Sequence, residues 1–420
     1  MAINTLSALS SLIKYRYEKG FENCVFQNNA LLKRLKKEYN VGGYQSWIPY
    51  QITLGEGGGS ANVGNAVTNS SSVTTKNVLL TRARDFGVAS VDGLALNASS
   101  TGKQEAFIDA VTLMMESKLQ AMANNLEIAL FRSGAGALGQ IGSGYTNTDT
   151  SITLTDPNDA KNFEVGMVIV ASTTNDGFNV KASSSVDNTA IITAIDRYNG
   201  VLTMDVDGDF AGTDWAAADY LYRQGDAIQA ASSSDGTLKV KGLSAWLPSS
   251  VASSGDSFFG MDRYTDVERL AGLKFNGASM SMLRAFTGAG VLAADRGEMP
   301  RLFVTSFQNI SQLCDELQGQ AFQTDFSTGE VGFSTIKFHI PGIGPCEVLG
   351  SRACPTSVSY LLDESKWVLK CSSPKLINID ERDGLTMRLN ATADQLDMRF
   401  YFYGQLACLR PGANVRIAHT

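Results

Sequence analysis

The residues able to do chemistry are few and scattered. Two histidines occur, His339 in "KFHIPGIGP" and His419 beside the C-terminus. Neither has the HExxH, HxxxH or nucleophile-elbow context that would make a zinc site or the base of a hydrolase. His339 reads as a strand residue with a satisfied ring. "DVDGD" (Asp205–Asp209) superficially has the form of a calcium loop. It lacks the fifth-position ligand before the glycine and the distal glutamate, so no metal is expected there. "GEGGGS" at residues 55–60 lacks the strand–GxGxxG–helix order and the lysine of a phosphate loop. The cysteines Cys24, Cys314, Cys346, Cys354, Cys371 and Cys408 show neither CxxC nor zinc spacing, and read as reduced, mostly buried thiols. Paired carboxylates for glycoside hydrolysis carry no spacing that would mark them out. No catalytic residue, metal or cofactor is therefore expected, and the chain reads as something other than an enzyme.

Composition turns attention to surfaces. The 420 residues are 44% hydrophobic and only 18% charged, so sizeable cores are available and polar surface is scarce. Scarce polar surface points to area buried against partners. The net charge of −7 makes the whole molecule no magnet for nucleic acid. The first 40 residues run the other way, with Lys14, Arg16, Lys19, Lys33, Arg34, Lys36 and Lys37 against Glu18, Glu22 and Glu38. This basic arm is a candidate for an acidic partner or nucleic acid; a solvated helix face is the blander reading and the preferred one. Its positive charges follow the apolar residues, the wrong order for a secretion signal. Leu6, Leu9, Leu12 and Ile13 recur at helical spacing instead. No apolar run reaches membrane-spanning length.

The elements that would present such surfaces can be read in order. Tyr44, Ser46, Ile48, Tyr50, Ile52 and Leu54 alternate with Gln45, Trp47, Pro49, Gln51 and Thr53, a period of two that predicts a strand. Pro49 lacks an N–H and favours an edge. "TLGEGGGSANVGNAVTNSSSVTT" (residues 53–75) follows, with no aromatic and one charge, Glu56. "SVTTKNVLLTRARDFGVASV" then reads as one extended return run. The pair predicts a long hairpin whose tip cannot pack a core of its own; such a ribbon is marginal in water and needs another surface. Next, Ile108, Val111, Met115, Leu119, Met122, Leu126 and Ala129 step by three and four, a packing stripe on a long helix capped by Thr101 and Gln104 and ended by Ser133 and Gly134. From about Gly139 short apolar runs alternate with small polar residues, and Asn199-Gly200 marks a hairpin, so residues 142–228 read as a small β-barrel or sandwich. "SMSMLRAFTGAGVLAADRGEMP" predicts a helix ended by Gly297 and Pro300. "RLFVTS" predicts a buried strand. "SFQNISQLCDELQ" predicts a helix capped by Ser306. Strands follow in "GFSTIKFHI", "CEVLGS", "SKWVLKC" and "LTMRLNA", an α+β order. One long terminal strand is expected in "DMRFYFYGQLACLRPGANVRIAHT".

A basic arm, a Gly-tipped hairpin, one very long helix, a mixed domain and a closing strand with "YGQLACLRPGANVRI" together resemble the major capsid proteins of tailed bacteriophages, the HK97 fold. "FFGMDRYTDVERLAGLKFNG" followed by "MPRLFVTSFQNISQLCDEL" is similar to the segment leading into that family's axial domain. The likeness covers most of the chain outside residues 142–228 and lies in element order more than in motif. It implies an N-arm at 1–40, an extended E-loop at 41–97, and a peripheral domain with its spine helix at 98–141, 229–277 and 395–420. It also implies an inserted β-rich domain at 142–228 and an axial domain at 278–394. It implies a T=7-like icosahedral shell of hexamers and pentamers, in the host cytoplasm during assembly and then in the virion. A scaffolding protein, a portal, a possible decoration protein and weakly held DNA would be the partners, with no membrane. Some members cross-link through a loop lysine; Lys76 lies on the strand run and not at the tip, so non-covalent lacing is expected. Candidate intersubunit contacts are Trp47, Ile48, Tyr50, Ile52, Glu56, Arg82, Arg84 and Asp85; packing within the same chain is the alternative for the first four. An encapsulin-type nanocompartment shell is the runner-up, and a β-rich fibre or decoration protein is disfavoured by the Met-rich helix.

Overall fold

The computed structural model describes residues 29–43, 45–55, 57–94, 110–146, 149–181, 189–205, 215–227, 239–318, 325–328, 334–390 and 392–419. The arm's first turns and the Thr101–Gln104 cap lie outside these residues.

One strand, Gln395–Cys408, organises the body. It pairs antiparallel with Ala83–Asp92 from Gln395↔Asp92 to Gly404↔Ala83. Its C-terminal end pairs with Trp367–Cys371, and the short strands Asn378–Ile379 and Arg388–Leu389 join its other half. Lys36–Glu38 adds to Trp367–Cys371 in parallel. The long helix Ala110–Phe131 covers one face of this sheet. Met122, Leu126 and Ala129 of the anticipated stripe are buried, with Met115 and Leu119 packed beside them. Gly87 permits the close approach: a β-carbon there would stand 2.7 Å from the Met122 sulfur and 3.0 Å from Lys118 Cε.

A second, seven-stranded sheet runs in the order Leu273–Asn276, Val415–Ala418, Val358–Leu362, Leu302–Thr305, Gly344–Gly350, Ser334–Ile340, Asp325–Thr328. Helix Met282–Asp295 lays Met282, Ala285, Phe286, Ala289 and Ala293 on it, the helical spacing of one face. Phe286 stacks on Phe303 at 4.5 Å and 9°. Ser281 caps this helix, accepting from the Arg284 N–H, and Ser306 caps Phe307–Gln318, accepting from Asn309 N. Gly297 ends the first helix at a positive φ of 77°.

Three features differ from the sequence expectation. The terminal strand is two strands, because Pro411 and the short 3-10 turn Pro411–Ala413 break it; Gln395–Cys408 stays in the body sheet and Val415–Ala418 crosses to the second sheet. The return run of the hairpin is also two strands, Thr75–Thr81 and Ala83–Asp92, in different sheets. Trp367–Cys371, placed in the axial segment by sequence order, pairs in the body sheet, and Val358–Leu362 is a wholly buried strand that the sequence reading missed.

Six strands between residues 139 and 223 form a third sheet, ordered Gly139–Gln140, Tyr220–Arg223, Val168–Ser172, Thr189–Asp196, Val201–Met204, Ser151–Thr153. Its first and last strands meet through an Ile141–Leu154 bridge. The Asn199-Gly200 signal falls in the loop between Asp196 and Val201, where Gly200 takes φ +71° and lies against Pro157. No described helix is long and apolar enough to cross a membrane.

His419 is tied to the second sheet by a chain of hydrogen bonds that is buried at Asn309, Thr305 and Ser359. Asn309 Nδ2 donates to Thr305 Oγ1 (3.0 Å), Thr305 and Ser359 share a hydrogen bond of 2.6 Å, and Ser359 Oγ lies 2.7 Å from His419 Nε2. Burial holds the His419 imidazole below its usual pKa. The unfolded chain therefore takes the proton first, and this contribution to stability is lost as pH falls below the ordinary histidine value of about 6.5. Urea unfolding of the subunit at about pH 7.5 and about pH 5.5 should show a larger loss for the natural chain than for His419→Gln; equal losses would show that His419 does not couple to folding.

Candidate interaction surfaces

Gln45–Gln51 and Thr75–Thr81 pair from Gln45↔Thr81 to Gln51↔Thr75, forming a two-stranded ribbon. Alternation gives it two faces. Ile48, Tyr50, Ile52, Val78 and Leu80 are buried on the inner one. Each such side chain contributes about 1.5–3 kcal/mol on burial. Their surroundings belong to the same chain. Leu79 N donates to Phe259 O (3.0 Å), the Arg269 guanidinium donates to Ile52 O (2.6 Å), and the Tyr50 hydroxyl donates to the Cys408 carbonyl. Burial pushes the Tyr50 phenol well above its usual range. Trp246, Trp367, Phe258 and Phe259 form an aromatic footing beneath, with Trp246–Phe258 at 5.0 Å and Trp246–Trp367 at 6.3 Å.

The anticipated contact residues therefore separate. Ile48, Tyr50 and Ile52 are taken up by their own chain, because the ribbon's inner face lies on its own body. Trp47 points outward and is 62% exposed. Arg82 donates to Val41 O at 2.7 Å. Asp85 is bound internally, 2.9 Å from Arg223 and 3.2 Å from Lys239. Arg84 is exposed on the outer sheet face. Glu56 lies outside the described residues.

Beyond Ile52 the ribbon loses its support. The tip carries a six-residue helix, Val63–Thr68, with no buried residue; Asn62 caps it by accepting from Asn65 N at 2.8 Å. Sequence reading found no helix here, since six residues among Gly, Ser and Asn give almost no periodic signal. Leu54, Val63, Val67 and Val73 are all more than half exposed. Val63 and Val67, four apart, share one helix face.

The arm is held by a residue that sequence reading did not single out. Glu127, on the long helix, is 1% exposed. Its carboxylate accepts from Leu31 N (3.1 Å), Leu32 N (2.7 Å) and Ser351 Oγ (2.9 Å). It thereby caps the short helix Ala30–Arg34 and ties it to the end of strand Gly344–Gly350. Burial pushes the Glu127 carboxyl up, against the pull of these donors. Arg34 adds a fork onto Glu347 (2.8 and 2.7 Å) and a contact to Glu364 (3.0 Å). Of the candidate arm cations, Arg34 is thus engaged within the chain, Lys37 donates to Leu35 O, and Lys33 and Lys36 are exposed. Lys14, Arg16 and Lys19 lie outside the described residues. Among the described residues no His, Cys, Asp and Glu cluster could hold a metal; of "DVDGD", residues 206–209 are not described.

No protein-family model and no curated protein sequence matches the chain. Solved structures do. The capsid asymmetric unit of cyanophage A-1(L) is similar at TM-score 0.56 and 14% identity, covering 99% of this chain and 99% of that one. The capsid of a native GTA particle is similar at TM-score 0.50 and 8% identity, over 100% of each chain. At such identity the likeness establishes the fold: this chain has the α+β architecture of HK97-type capsid proteins.

Glu127→Ala leaves two buried N–H groups without acceptors, at about 1–3 kcal/mol each. Trypsin should then cut after Lys33 or Arg34 several-fold faster than in the natural chain, with a lower Tm; Glu127→Gln, which keeps an acceptor, should fall between. Unchanged cleavage would show that the arm is held by other contacts.

Proposed function

We propose that the chain is a major capsid protein, self-assembling into the icosahedral head shell that encloses a phage genome. One observation carries this reading: on a capsid-type fold, a ribbon is anchored at its base by its own chain and left bare at its tip, where Leu54, Val63, Val67 and Val73 stand exposed among small polar residues. A solitary protein gains nothing from such a tip, whereas a shell subunit presents it to a neighbour. Trp47, on the outward face, would extend the same contact.

The energetics are those of association. Ordering backbone costs about 1–2 kcal/mol per residue. Obligate interfaces of roughly 2,000–5,000 Å² offset this, and closure repeats each contact around the shell, so each one can be modest. The sheet of residues 139–223, joined end to end through Ile141–Leu154, is read as a small β-barrel inserted between the long helix and the rest of the body. With the strand exchanges above, the axial domain would take in Leu273–Asn276 and Val415–Ala418 and give up Trp367–Cys371 to the peripheral one. Hexamers and pentamers of this chain, a separate scaffolding protein and a portal would be its assembly partners, in the host cytoplasm first and the virion afterwards.

Deleting residues 55–72 should leave a folded subunit by circular dichroism and abolish closed particles by electron microscopy. Val63→Asp with Val67→Asp should weaken assembly about tenfold or more, since two charges would have to be buried. Closed, stable shells from either variant would remove the lacing role.

A further inference from the structure

We propose that Lys274 and Arg416, side by side on the second sheet, form a binding site for a carboxylate. Leu273–Asn276 is the edge strand of that sheet, and it runs parallel to Val415–Ala418 with Lys274 paired to Arg416. Leu273, Phe275, Val415 and Ile417 face the core under helix Met282–Asp295. Strand alternation therefore puts Lys274 and Arg416 together on the opposite face. Like charges on neighbouring strands repel, and these two are half-buried.

Neither cation has a carboxylate of its own. Arg416 Nη1 donates to Ser244 Oγ (3.3 Å) and to Leu247 O (3.2 Å), both neutral, at the short helix Leu243–Trp246. Its Nε–H is buried and has no hydrogen-bond partner among the described residues. Lys274 forms no hydrogen bond or ion pair with any described residue. The groups acting on it are the Arg263 and Arg416 guanidiniums and, more weakly, the Asp256 and Glu268 carboxylates. Both carboxylates are already engaged: Asp256 lies 3.2 Å from Arg263, and Glu268 lies 2.8 Å from Arg296. Even with both counted, three cations face two carboxylates, an excess of one positive charge. Burial first, and then the two guanidiniums, hold the Lys274 ammonium below the usual lysine pKa. A half-buried ammonium beside a guanidinium is raised in energy unless an anion joins it.

An excess of one charge fits a carboxylate, whose two oxygens can take one head group each. The buried Nε–H favours an anion on a slender stem; a nucleic-acid phosphate is held between two sugars and reaches less deep. Leu273–Asn276 has no second strand partner among the described residues, so no strand bars approach along that edge. The carboxylate has two sources, an acidic side chain of a second copy of this chain or a free dicarboxylate. The pair stands on its own geometry; only the second-copy source rests on the shell reading.

The test uses the purified full chain and follows its Tm in succinate against sodium chloride of equal ionic strength. Succinate should raise the Tm of the natural chain by about 2 °C or more. Lys274→Met, which keeps the apolar stem, should lose that gain. Lys274→Glu puts a carboxylate beside Arg416, so it should melt higher than the natural chain in dilute chloride and ignore succinate. If Lys274→Glu fails to fold, Lys274→Met carries the test. Sedimentation velocity under assembly conditions then separates the sources. A Lys274-dependent gain with self-association unchanged in Lys274→Met supports a free carboxylate. Self-association about tenfold weaker in Lys274→Met supports a side chain of a second copy, whether or not free succinate binds. A Lys274-dependent gain in a chain that forms no shells would keep the pair and remove the shell reading. With self-association unchanged, a succinate gain that is absent or indifferent to Lys274 would overturn the proposal. So would a Lys274-dependent gain larger in inorganic phosphate than in succinate.

Discussion

A two-stranded ribbon cannot bury both of its faces, and that constraint shapes the whole chain. The inner face of Gln45–Gln51 and Thr75–Thr81 is satisfied by the aromatic footing of Trp246, Trp367, Phe258 and Phe259. That footing exists because Trp367–Cys371 pairs with Gln395–Cys408, and Trp246 Nε1 donates to Leu406 O on the same long strand. The body sheet thus does two tasks. It gives the long helix a surface to lie on, and it holds the ribbon's base at a fixed angle. The tip lies beyond that support, and its valines have no partner within the described chain.

The same economy governs the arm. A five-residue helix has little intrinsic stability. Ala30–Arg34 persists because Glu127 accepts its free N–H groups and Arg34 forks onto Glu347. Glu127 also reaches Ser351, so one buried carboxylate joins the long helix, the arm and the second sheet. Such a group is costly to bury and strongly destabilising to remove, which makes it a device for holding geometry more than a source of net stability. A shell needs subunits whose arm and ribbon leave the body in defined directions, and these polar ties set those directions.

Much of this was legible in residue order. The ribbon followed from strict alternation around Trp47–Ile52, the long helix from the Met115–Ala129 stripe, and the two helices on the second sheet from the Gly297 stop of the first and the Ser306 start of the second. What stayed hidden depends on distant contacts. Nothing local distinguishes Glu127 from a solvated helix glutamate; only the arm's arrival makes it a cap. Val358–Leu362 mixes Ser and Tyr with aliphatics and has no alternation, because both of its faces are buried. The split at Arg82 occurs inside one continuous extended run, where backbone preference stays the same and only the pairing partner changes. Ile48, Tyr50 and Ile52 looked as fit for a neighbour as for their own body, since alternation says which face is apolar and not whose surface meets it.

The central claim is that the ribbon tip completes its structure on another copy of the chain. Hydrogen exchange over residues 54–74, in the isolated subunit and in the assembled particle, tests this most directly. Tip amides should exchange near the unprotected rate in the subunit and become protected on assembly, while Ile48, Tyr50 and Val78 are protected in both. Protection of the tip in the isolated subunit, or none in the particle, would contradict the account.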